Sequence, residues 1–251
     1  MFQNIVPVTK EAHLNTKVKN LNSFEFVANF HIASIMMHEF PKAAAFYPIV
    51  FIEDKKNNAF KPVVLLGLQT NENLFVNEEG KWVVSYIPAI IRRYPFALSK
   101  TDEDNRFTIC IDDKSEAVNE KEGRSLFKDD GEPDELLEHV KKYLGELQHM
   151  ELVTNQLCKT LKEKYMFTPW NMRIREKNNF KNIAGVYIIN EERLNNLSDE
   201  EFLSLRHQNI LSSVYSHLNS LAQIHRLTQL RDNKKKPEPD EKKEAIIKAE
   251  P

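Results

Sequence analysis

Between Pro133 and Tyr165 the apolar residues return every three or four positions: Leu136, Leu137, Val140, Tyr143, Leu144, Leu147, Val153, Leu157, Leu161 and Tyr165. That spacing sets them on one stripe of a long helix. Asp134 and Glu135 lie in its first turn, where the helix dipole favours negative charge. A break is anticipated near Met150. A stripe of this length must be covered, and the segments that can cover it read as strands.

Strands rich in β-branched and aromatic residues are expected near 48–53, 62–69, 73–76, 81–86, 107–112 and 185–190. Polar turns join several of them, which favours a mixed or antiparallel sheet. Upstream, residues 30–40 read as a helix stopped by Pro41, and "PKAAAF" as one further turn. Downstream, Ser198 and Glu201 have capping-box spacing, and the leucines beyond continue that helix to about Leu227. The expectation is an α+β fold, with a mixed or antiparallel sheet packed by two long C-terminal helices. Residues 1–230 would form one domain, with a split near 115–132 as the alternative. From Arg231 onward, seven basic residues, six acidic residues and three prolines predict a disordered tail, 231–251.

Bulk charge narrows the function. The chain carries 35 basic and 37 acidic residues, interspersed, for a net charge of −2. Nucleic-acid binders concentrate positive charge, so nucleic acid is not an expected partner. The longest uncharged apolar runs, "AAAFYPIVFI" and "WVVSYIPAII", have ten residues each. A spanning helix needs about 20, so no membrane span is expected. The opening "MFQNIVPVTKEAH" lacks the pattern of a secretory signal. Cys110 and Cys158 have no metal-ligand spacing and read as small buried apolar groups, consistent with a cytoplasmic protein with free thiols.

The densest chemistry lies in "WVVSYIPAIIRRYPFAL", residues 82–98. Pro88 and Pro95 leave room for only a short helix. On it, consecutive Arg92 and Arg93 point about 100° apart, so at most one faces any given pocket. An arginine fork can hold a carboxylate or phosphate, and Trp82, Tyr86 and Tyr94 could clamp an aromatic ligand beside it. Asp112, where the strand "RFTICIDD" exits into acidic side chains, is counted with this group as a candidate ligand-binding residue. The competing reading makes one arginine a structural ion-pair partner and leaves the other in water.

Asp112, Asp113, Asp129, Asp130 and Glu132 are dense enough to suggest a cation site, but no calcium-loop pattern is present. Turn formation and helix charge already account for the last three. Histidine pairs 31/38 and 217/225 lie near whole helical turns without a third ligand, so no metal is expected. GxSxG, SxxK, GxGxxG and P-loop patterns are absent, no cofactor is implied, and no catalytic residue can be named. Both Tyr-Pro steps, 47–48 and 94–95, are expected in the trans form. Trp170 in "FTPW" reads as the anchor of a loop.

The segments "EFPKAAAFYPIVF", "VVLLGLQTNENLFVNEEGKWVVSYIPAIIRRYPFAL", "ICIDD", "LFKDDGEP" and "GVYIINEERLNNLSDEEFLSL" occur in that order over about residues 5–228. In this they resemble the SapC family of bacterial proteins. The resemblance implies a soluble accessory protein that binds a protein or peptide partner during export or assembly of surface-layer protein. It brings no established activity, and the oligomeric state stays open. It matches Trp82, Tyr86, Pro88, Arg92, Arg93, Tyr94, Pro95 and Phe96 to the family's most characteristic segment. The alternative is an enzyme or small-molecule binder for an anionic or aromatic ligand held near Arg92 and Arg93.

Overall fold

The computed structural model describes residues 1–100, 107–176 and 179–234. Its main sheet has five antiparallel strands, in the spatial order Phe167–Glu176, Asn179–Ile189, Ile49–Asp54, Ala59–Leu65 and Ile32–Ser34. A second sheet sets Phe107–Asp112 between Ile5–Pro7 and Phe96–Lys100. A third, minimal sheet joins Val118–Asn119, Lys17–Val18 and Arg124–Ser125. The α+β class with antiparallel sheets is as the sequence implies.

The long helix spans Glu135–Glu163 without interruption at Met150. Its stripe changes partner along its length. Leu137, Val140, Leu144 and Leu147 pack with Ile111, Leu126 and Phe96. One end further on, Leu157, Cys158 and Leu161 join Tyr47, Phe51, Phe75 and Met166 beneath the main sheet. Thr154 lies where the apolar period lapses. Its hydroxyl donates to the Met150 carbonyl at 2.7 Å and accepts the Met37 N–H at 3.0 Å, so the polar step is satisfied and the helix runs on.

Several expectations fail for identifiable reasons. Residues 30–40 are not one helix: Ile32–Ser34 pairs with Val63–Leu65, and Met37–Glu39 is a single 3₁₀ turn leading into the helical turn Phe40–Ala43. Within 73–76 and 81–86 only one bridge forms, between Val76 and Trp82. Asn73 and Asn77 divert the local backbone donors of Phe75, Glu79 and Lys81 to their own side-chain oxygens, in competition with a strand ladder. Trp170 lies in a strand, not a loop, and the nearby Pro169 is tolerated because that strand is at the sheet edge. Of the two Tyr-Pro steps, Tyr94–Pro95 is cis.

The last helical run starts at the expected capping box but is not continuous. It comprises Asp199–His207, Leu211–Ser220 and Ile224–Lys234. Asn209, at φ 58°, ends the first piece, with the Asn209 N–H on Arg206 O and the Ile210 N–H on Leu205 O. That is a Schellman closure, which the unbroken leucine spacing conceals. The tail boundary moves as well. Arg231 is buried within the final helix, and Lys234 donates to the carbonyls of Asn73 and Val76. Residues 235–251 of the expected tail lie outside the described residues.

Candidate functional site

The segment around Arg92 and Arg93 is built on a buried carboxylate. Pro88 precedes a one-turn helix, Ala89–Arg92. The first amides of a helix have no partner within it. Here the Ala89 N–H donates to Glu39 Oε1 at 2.8 Å. The same oxygen accepts the Tyr86 hydroxyl at 2.6 Å, and Glu39 Oε2 accepts the Met36 N–H at 3.0 Å. Glu39 is 1% exposed, so these bonds are its compensation for burial. The neighbouring carbonyl, of Tyr86, accepts from Tyr47 Oη and from Trp82 Nε1, the latter at 3.2 Å. Burial pushes the Tyr47 and Tyr86 phenols far above their ordinary range, and the Glu39 carboxylate adds to this at Tyr86. Both hydroxyls are therefore donors, fixed in place.

Beyond Tyr86 the two arginines diverge. Arg92 is exposed; its Nε donates to Ile87 O at 3.0 Å, and its guanidinium lies 5.9 Å from the ring centroids of both Tyr86 and Tyr143. Arg93 turns inward. Its guanidinium sits 5.8 Å from the Phe2 ring centroid, and its Nε is buried with no hydrogen-bond partner among the described residues. Burial lowers its pKa, opposed by the fields of Glu151 and Tyr143. One sequence reading gave one of the two arginines an internal ion pair; neither Arg92 nor Arg93 forms one among the described residues.

Arg93 borders a cavity of about 480 Å³. Four parts of the chain line it: the stretch from Val18 to Phe26, the turn from Ile91 to Phe96, Arg124, and the long-helix face bearing Leu136, Val140, Tyr143 and Leu144. Lys19, Arg92, Arg93 and Arg124 all line it, and no acidic residue or histidine does among the described residues. Arg124 has an exposed partner, Glu135, at 3.9 Å, a contact of little energetic weight in water. Apolar walls and a few convergent charges are the usual make-up of a small-ligand site. A second cavity of about 290 Å³, lined by Met36, Lys61, Glu151 and Thr154 among others, also borders Arg93.

The residues singled out from the sequence therefore separate. Arg92, Arg93 and Tyr94 line the larger cavity, and Tyr94 stacks on Phe26 with ring centroids 4.2 Å apart. Trp82, Tyr86 and Asp112 do not line it. Trp82 donates to Tyr47 Oη at 2.9 Å. Asp112, 0% exposed, accepts the N–H groups of Gln3 and Asn4 at 2.9 Å each, that of Lys114 at 3.3 Å and the Tyr94 hydroxyl at 3.2 Å. Burial works against its charge, but these donors outweigh it and hold its carboxyl below the ordinary range. Asp112 ties the N-terminal strand to Tyr94.

Lys19, Phe24, Phe26, Arg124 and Tyr143 line the cavity without having been foreseen. They come from three separate parts of the chain, the 18–26 stretch, the strand at Arg124 and the long helix, so only the tertiary fold gathers them. The acidic turn is local structure: Asp130 Oδ1 accepts the Glu132 N–H at 2.9 Å, and Gly131 supplies φ +83°. Among the described residues no three metal-ligating side chains cluster, and no helix is long and apolar enough to cross a membrane.

The fold and cavity define an α+β protein with a cavity lined by basic and aromatic residues beside a one-turn helix. The sequence model of the SapC family matches residues 8–227, and the chain belongs to that family. No curated protein and no solved structure matches it.

Proposed function

We propose that this SapC-family chain is a binding protein whose working site is the cavity at Arg92 and Arg93, and that its ligand is anionic. The observation that carries this is the convergence of four cationic side chains, Lys19, Arg92, Arg93 and Arg124, on one cavity with no acidic residue lining it among the described residues. Arg93 is half-buried and has no ion pair among the described residues, so an incoming anion offsets the cost of that burial. Lys19, Arg92 and Arg124 add a field of the same sign around it. Of the titratable groups singled out from the sequence beside the arginines, Tyr86 and Asp112 are committed to structural hydrogen bonds. This favours binding over catalysis.

The setting we propose is cytoplasmic, with a protein or peptide partner, in the export or assembly of surface-layer protein. Support for that setting is family membership. The test uses chain recovered from its own cell under native conditions. Native mass spectrometry should find an anion retained by the wild-type chain and lost from Arg93→Gln. Equal retention by a folded variant would refute the site. Cells carrying Lys19→Glu together with Arg124→Glu should export less surface protein at an unchanged level of the chain, and undiminished export would refute the setting.

A further inference from the structure

The charge around the larger cavity is graded. Lys19, Arg92 and Arg124 are exposed, whereas Arg93 is half-buried, with its Nε shut off from water. Several other polar groups on the walls already have partners, Asn20 being the lining residue left to offer a side-chain amide. Tyr94 donates to Asp112, Tyr143 reaches Ala89 O at 3.4 Å, and Arg92 Nε is held by Ile87 O. No glycine lines the cavity, so no bare backbone loop is available to cradle a phosphate. The remaining inner surface is apolar, including Phe24, Phe26, Ile91, Val140 and Leu144.

We infer that the cavity takes a monocarboxylate carried on an apolar body, the two oxygens on the Arg93 fork and the body against Phe24, Phe26 and Val140. This rests on the anion-binding reading above and specifies its ligand. One planar, two-oxygen acceptor matches one guanidinium edge. One negative charge is matched by Arg93 alone, whereas the second charge of a dianion could be met only by the exposed Lys19, Arg92 and Arg124, where water already competes for it. A volume of about 480 Å³ admits an acid of drug-fragment size or larger. The same chemistry is offered by a free aryl or alkyl acid and by the carboxy-terminus of a chain ending in an apolar residue.

Calorimetry on the full chain tests this with five probes: 4-phenylbutyrate, 4-phenylbutanol, phenyl phosphate, and acetyl-Ala-Phe as free acid and as amide. The carboxylates should bind at least tenfold more tightly than the alcohol and the amide. Arg93→Lys, which keeps the charge but not the fork, should weaken them about tenfold with the apparent melting temperature monitored in parallel. Should that variant not fold, Lys19→Glu supplies the test at an exposed position, with a severalfold loss that fades at high salt. Tighter binding of the peptide acid identifies a chain terminus as the source, and tighter binding of 4-phenylbutyrate a free acid. Phenyl phosphate binding better than either carboxylate would overturn the carboxylate assignment and leave an anion site. Alcohol matching acid would overturn it too, and no binding of any anion would remove the underlying reading with it.

Discussion

Two buried titratable side chains and one half-buried one show how differently the same cost can be met. Asp112 is saturated by donors on three sides, and Arg93 borders a cavity while its Nε is buried without a partner among the described residues. His217, 0% exposed, is satisfied as a neutral ring between the Ile189 N–H at 3.0 Å and Ile49 O at 2.9 Å. Replacing Asp112 by Ala strands two N-terminal amides, so urea denaturation should show a loss of about 3 kcal/mol. A loss below about 1 kcal/mol would mean that the strand is held by other contacts. For His217, burial takes the pKa from 6.5 down to about 4. The unfolded ring protonates below about pH 6.5 and the folded one does not, so stability falls with pH across that window and levels off near pH 4. The full effect is roughly 3 kcal/mol. In His217→Gln, urea midpoints measured between pH 7 and 4.5 should fall less than in the wild type. An unchanged slope would show that the ring is protonated in the fold.

At the scale of the element, the one-turn helix Ala89–Arg92 is too short to hold itself. Glu39 holds it by taking the Ala89 amide and the Tyr86 hydroxyl at one oxygen. In Glu39→Gln the amide nitrogen would confront either the Met36 N–H or those two donors, so one contact is lost whichever way the side chain turns. The expected cost is about 2 kcal/mol in thermal melting. The fluorescence of Trp82, which bonds the Tyr86 carbonyl, should shift in parallel. A variant with native melting and native fluorescence would dismiss Glu39 as the support. This dependence also marks the limit of what the sequence discloses. Pro88, Pro95 and the arginine pair were readable because proline fixes backbone geometry locally. Glu39 was not, because its partners lie about fifty positions away and no pattern links them. Ser198 with Glu201 announced a helix start, while Asn209, a residue that tolerates positive φ, ended that helix without disturbing the leucine period.

At the scale of the molecule, the long helix belongs to two buried clusters, one under the main sheet and one against the smaller sheet. The cavity opens beside the second cluster, along the N-terminal half of that helix, while Arg93 also borders the second cavity toward Glu151. Two clusters that share one rigid rod cannot lose it independently: unfolding either end removes the cover of the other. We therefore expect one cooperative unit rather than subdomains divided near 115–132. Leu157, 2% exposed, lies in the first cluster only. Leu157→Ala should cost about 3 kcal/mol, which accelerates exchange through global opening on the order of a hundredfold. Hydrogen exchange resolved by residue should show that factor for amides of Ile49–Asp54 in the main sheet and equally for amides of Phe107–Asp112 in the other. If only the main-sheet amides speed up, the clusters open separately, and the cavity would then belong to a unit that can loosen without the main sheet.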